Sequence, residues 1–196
     1  MKIMKKLQIL VALATSILLS AACSQPKQAP QQSQTADSQP AEQAPQPDVP
    51  AAEADEAKPK YIDFALPGTD NQPLRVSDYV GRNRLTLIDF WASWCGPCRA
   101  EMPHVARAYQ AFHEQGFEII GVSLDNDREA WLNAIREMQL AWPQVSDLKG
   151  WNCAAARLYG VESIPASVLV DSDGNVVAAN LRGNDLYNTV GQLLGR

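Results

Sequence analysis

The sequence predicts an α/β fold, a mixed β-sheet flanked by helices, in the part of the chain that begins near Lys60. Three observations predict it. The apolar run Leu85-Thr86-Leu87-Ile88 reads as a buried strand and feeds a stretch with helical spacing, marked by Val105, Ala108 and Phe112. A second unit follows, with a strand over Phe117-Glu118-Ile119-Ile120-Gly121-Val122-Ser123 and a helical pattern from Asp127 to Met138. The chain then closes with two strand patterns joined by the hairpin signal Ser172-Asp173-Gly174-Asn175, and a last amphipathic helix. Strand–helix–strand followed by strand–strand–helix implies a mixed sheet with helices on both faces.

The 196 residues carry a formal net charge of -5 and are 46% hydrophobic, enough for one domain plus extensions. The acidic balance argues against a nucleic-acid partner, which requires a basic face. Cys23, Cys95, Cys98 and Cys153 are too few for a disulfide scaffold, and their placement suggests separate roles.

Residues 1–22 read as a targeting segment. Lys2, Lys5 and Lys6 make a basic start, and Leu7 to Leu19 form an apolar run too short for a stable membrane span. The segment ends Ser20-Ala21-Ala22-Cys23. Small residues before a cysteine resemble a bacterial lipobox, in which that cysteine is acylated and becomes the mature N-terminus. Ser20 stands where that box usually has Leu, and Ser20-x-Ala22 also fits ordinary signal cleavage. Either route takes the chain out of the cytoplasm, where disulfides persist. Ser24 to Pro59 is rich in Gln, Pro, Ala and Ser, with Val49 as its branched aliphatic residue. Such a segment buries too little apolar surface to offset ordering entropy, so residues 23–59 are expected to be a disordered, proline-stiffened tether.

The folded domain is expected over 60–196. Tyr61 to Leu66 alternates weakly as a strand, Gly68 to Gln72 is a turn, and Pro73 to Val76 returns as a second short strand. Ser77 to Gly81 reads as one capped helical turn. The central strand covers about Leu85 to Trp91, and the helix after it runs from Ala100 to Glu114, with Pro103 expected to kink it. Trp131, Ile135 and Met138 share a face of the next helix. Trp142 to Ser146 is read as a short strand, and Ala154 to Tyr159 as a short helix ended by Gly160. Ala166 to Asp171 and Val176 to Leu181 are the hairpin strands. Asp185 to Leu194 closes the chain with Leu186, Val190, Leu193 and Leu194 on its apolar face.

The chemistry concentrates in Asp89-Phe90-Trp91-Ala92-Ser93-Trp94-Cys95-Gly96-Pro97-Cys98-Arg99. Cys95 falls at or just before a helix start, where free N–H groups and the helix dipole stabilise a thiolate. A cysteine in a Cys-x-x-Cys at such a place can fall from a pKa of about 8.5 to about 7 or lower. Pro97 has no N–H to donate and suits a first turn. The same spacing fits half a zinc site, but Cys153, His104 and His113 make no second ligand pair. Asp89 lies inside the apolar strand run. Desolvation there raises a carboxyl pKa and makes it a candidate general base for the second cysteine; alternation alone also admits a half-exposed strand Asp. Pro165 either starts an ordinary strand or closes a cis bond after Ile164. Cys153 is either a surplus reactive thiol or a buried small residue at a helix start.

Asp89-Phe90-Trp91-Ala92-x-Trp94-Cys95-Gly96-Pro97-Cys98 resembles the active-site signature of thioredoxins. Pro103 matches their helix proline, and Tyr159-Gly160-Val161-Glu162-Ser163-Ile164-Pro165 resembles their loop into a cis-proline, with Ser163 where Gly is usual. The N-terminal hairpin and the inserted helix at Asp127 to Met138 make the chain similar to TlpA/ResA-type extracytoplasmic thiol–disulfide reductases. The resemblance implies a thioredoxin-like fold and a redox-active Cys95–Cys98 disulfide, with Cys95 as nucleophile, Cys98 as resolving thiol and Asp89 as its base. It implies substrate contacts from Trp94, Gly96, Pro97, Ile164 and Pro165, with Trp94 either in a collar round Cys95 or in the core. It further implies client proteins bearing disulfides, a membrane dithiol donor of the DsbD/CcdA kind, a lipid anchor at Cys23 facing the bacterial periplasm, no metal and no cofactor. A peroxiredoxin-like peroxidase shares the broad fold, but its Pro-x-x-x-Thr/Ser-x-x-Cys loop is replaced here by Ile88 and Ala92 before Cys95. A dedicated apocytochrome c reductant would use the same residues on a narrower client.

Overall fold

The computed structural model describes residues 58–195. The expected targeting segment, Cys23 and the tether up to residue 57 lie outside the described residues. The central sheet has five strands in the order β5-β4-β3-β6-β7. They are β3 (Leu85–Trp91), β4 (Phe117–Ser123), β5 (Gln144–Val145), β6 (Ala166–Asp171) and β7 (Val176–Ala179). β3 pairs parallel with β4 and antiparallel with β6, so the sheet is mixed. Every residue of β3 and β4 is buried. Strands covered on both faces need no polar alternation, and the continuous apolar runs in the sequence reflect that.

A separate two-stranded hairpin, β1 (Ala65–Pro67) and β2 (Pro73–Arg75), precedes the sheet. It docks on β5, where the Ser146 N–H donates to the Pro67 carbonyl at 3.0 Å. The first strand is shorter than the sequence suggests. Tyr61 N–H donates to Gly174 O at 3.0 Å, and Ile62 is held by the Tyr159 hydroxyl, which donates to Ile62 O at 2.7 Å and accepts from Ile62 N at 3.1 Å. Residues 60–62 therefore spend their backbone groups on the β6–β7 turn and on Tyr159 rather than on β2.

Helix α1 (Gly96–Phe112) starts four residues earlier than its apolar spacing alone suggests, because Gly96 and Pro97 are tolerated in a first turn. Cys98, Met102, Val105, Ala108 and Phe112 form its buried stripe. Gly116, at φ 92°, reverses the chain into β4, a left-handed conformation that favours glycine. Helix α2 (Arg128–Glu137) is capped by Asp127, whose carboxylate accepts from the N–H groups of Glu129 and Ala130 at 2.8 and 3.1 Å. Helix α3 (Ala154–Leu158) is short, and α4 (Asn184–Leu193) packs against α1, with Gly191 letting the Phe112 ring approach.

Candidate active site

The site forms at the end of β3, where the chain turns into α1. Parallel pairing puts the end of β4 beside it, and this C-terminal strand edge is where open α/β sheets hold their chemistry. Asp125, just past β4, fixes the turn. Its carboxylate accepts from the Ser93 N–H at 3.0 Å, the Ser93 hydroxyl at 2.5 Å and the Ser123 hydroxyl at 2.7 Å.

Cys95 is the N-cap of α1, and its Sγ accepts from the Cys98 N–H at 3.1 Å. The two sulfurs are bonded, 2.02 Å apart. Cys95 is 5% exposed and Cys98 is fully buried, so Cys95 is the less deeply buried of the pair. Gly96 has open space beside it, and Pro97 is exposed. The Ile164–Pro165 bond is cis, and the Ile164 carbonyl oxygen lies 3.8 Å from Cys95 Sγ. Trp94 is 54% exposed, so it lies outside the core; its ring lies 6.2 Å from that of Trp151, which is also exposed. Trp91 is buried and donates its indole N–H to Gln144 Oε1 at 3.0 Å.

Asp89, on the strand that leads to Cys95, is buried between Gly121 of β4 and Ser167 of β6. Burial pushes its carboxyl up to about 7; the Arg182 guanidinium pulls it down and the Glu101 carboxylate pushes it up. Glu101 is one turn beyond Cys98 on α1 and accepts the Gly183 N–H at 2.5 Å. Two charges from distant parts of the chain thus act on one buried acid. The sequence reading missed Glu101, Arg182, Asp125 and Trp151. The spacing of Glu101 from Cys98 places both on one helix face and was a usable signal; Arg182 and Trp151 had none.

Residues 57–179 match the AhpC/TSA family. The chain belongs to that family. Among curated members of similar sequence, the thiol–disulfide oxidoreductase ResA of Bacillus subtilis is 31% identical over 58% of this chain and 61% of its own length. The ResA of Bacillus thuringiensis is 31% identical over 58% of this chain and 63% of its length. The chain thus spans less than two thirds of the curated relatives it matches. Among solved structures, the thioredoxin domain of a thiol–disulfide oxidoreductase from Bacteroides vulgatus is 34% identical, with TM-score 0.65, covering 70% of this chain and 97% of that domain. A thiol–disulfide oxidoreductase from Bacteroides fragilis is 32% identical, with TM-score 0.65, over 69% of this chain and 99% of its own. The fold of this AhpC/TSA member is therefore thioredoxin-like. Cys153, buried at the start of α3, has its thiol pushed up by burial and reads as packing.

Proposed function

We propose that the protein is an extracytoplasmic thiol–disulfide oxidoreductase that reduces disulfides of client proteins through Cys95 and Cys98. The observation that carries this reading is the bonded Cys95–Cys98 pair at the start of α1, with Cys95 the less deeply buried, on the helix that follows the strand bearing a buried carboxyl whose pKa is pushed up to about 7. In the reduced protein, the Cys95 thiolate, favoured by the α1 N-terminus, attacks one sulfur of a client disulfide. The client S–S bond breaks, a mixed disulfide forms, and the leaving client thiolate takes a proton. Ionised Asp89 accepts the Cys98 proton. The Cys98 thiolate attacks Cys95 Sγ, the mixed disulfide breaks, and the second client thiolate leaves and is protonated. The client gains two electrons, and Cys95–Cys98 is left oxidised. The backbone at Ile164 and the faces of Gly96, Pro97 and Trp94 form the surface on which an extended client segment lies.

A dithiol donor of the DsbD/CcdA kind restores the thiols, and an acylated Cys23 tethers the domain at the periplasmic face of a bacterial membrane. The resemblance of the motifs to TlpA/ResA-type reductases supports the donor, and the basic, apolar and small-residue pattern of sequence 1–23 supports the anchor. The Gly96-Pro97 pair supports a reductant. Equilibration with glutathione tests that direction: a potential near thioredoxin's about -270 mV is expected, and one near DsbA's about -120 mV overturns it. Reduction of insulin by the full chain with dithiothreitol tests the activity. Absence of catalysed reduction refutes it, and dominant peroxide turnover would replace it with the peroxidase reading.

A further inference from the structure

Arg182 approaches the site from the turn between β7 and α4, and its guanidinium is committed to it. One terminal nitrogen donates to the Ser167 hydroxyl at 3.2 Å and the Leu181 carbonyl at 2.7 Å, and the other donates to the Pro165 carbonyl. Ser167 is the β6 residue paired with Asp89. Arg182 therefore touches both the loop that faces Cys95 and the strand neighbour of the buried acid. Its own turn is held in turn by Glu101, through Gly183.

The charged groups acting on Asp89 are Arg182 from this turn and Glu101 from α1. Its β4 and β6 partners, Gly121 and Ser167, bring no charge. Arg182 is the cation in that set. Without it, an acid between an apolar strand pair and a second carboxylate would ionise only at higher pH.

We propose that Arg182 is a positioning residue of the dithiol site: one guanidinium holds the Pro165 loop against Cys95 and sets the charge facing Asp89. This rests on the oxidoreductase reading for its catalytic consequence, but not for its electrostatic one. A planar fork with several donors suits the double task, whereas an ammonium supplies the charge without the fork.

The test compares the full chain with Arg182→Gln and Arg182→Lys. The pre-reduced proteins reduce insulin in single turnovers between pH 5 and 9, and the Asp89 carboxyl carbon is followed by ¹³C NMR. Arg182→Gln removes the charge and keeps a donor. Both its rate–pH limb and the Asp89 midpoint are expected about one pH unit higher than in the wild type, with a several-fold slower rate at pH 6.5. Arg182→Lys is expected to keep the limb near its wild-type position and to raise the KM for insulin several-fold. An Asp89 midpoint unchanged in Arg182→Gln overturns the proposal, as does a limb displaced equally in both variants. If the wild type reduces no insulin, the functional reading fails, while the NMR titration still decides the role of Arg182.

Discussion

Asp89→Asn replaces a buried acid by its neutral isostere, and the structure fixes the direction of the effect. The carboxyl is raised from 3.8 to about 7, first by burial. Below about pH 4 the acid is protonated in both folded and unfolded chains, so it contributes no pH-dependent term. Between about pH 4 and 7 the folded state holds a proton that the unfolded state has lost, so stability falls as pH rises. Above about pH 7 both states are ionised, and the penalty levels off at roughly 4 kcal/mol, at about 1.36 kcal/mol per pH unit. The Asn variant does not titrate. It is expected to match the wild type near pH 4 and to exceed it at pH 8 by up to this amount, a gain of about 10 °C in Tm. The same variant is expected to lose the limb near pH 7 in client reduction, because the base proposed for Cys98 is gone. Thermal melts of the oxidised protein at pH 4, 6 and 8 measure the first effect, and stopped-flow reduction of insulin the second. A Tm difference that is flat across that range would refute the account of Asp89.

Cys98→Ala should retain attack by Cys95 but not release, so mixed disulfides with clients accumulate and appear on non-reducing gels; Cys95→Ser should yield none. Gly121→Ala places a Cβ 2.2 Å from Gln144 Oε1, which already accepts from Trp91. It should cost about 1–3 kcal/mol in urea unfolding, and less than additively when combined with Gln144→Ala. Asp125→Ala leaves the Ser93 and Ser123 donors without their acceptor and should cost about 2–3 kcal/mol by the same measure, with faster amide exchange at Ser93. Trp94→Ala combined with Trp151→Ala should raise the KM for insulin and leave the Cys95–Cys98 potential unchanged, as checked by steady-state kinetics beside glutathione equilibration.

The central strands were legible because burial on both faces writes a continuous apolar run, as in Leu85 to Ile88 and Phe117 to Val122. The same fact hid the placement of Asp89: with all of β3 buried, alternation carries no information about which face an Asp occupies. The position of Cys95 at a helix start was readable from Gly96 and Pro97. The clamp on the turn before it was not, because Asp125 reaches Ser93 across 32 residues of sequence. The short β1 shows a similar limit. Tyr61 and Asp63 look like strand residues, but their hydrogen bonds go to Gly174, Arg75 and Ser77.

The unequal burial of the two cysteines has a kinetic consequence. With Cys98 sealed inside and Cys95 5% exposed, electrons arriving and electrons leaving in the proposed reaction would use the same doorway. On the proposed reading, donor and recipient would dock by turns at Cys95, and the domain would serve as a shuttle and not as a wire. Its turnover should follow a ping-pong pattern in which a crowd of either visitor obstructs the other.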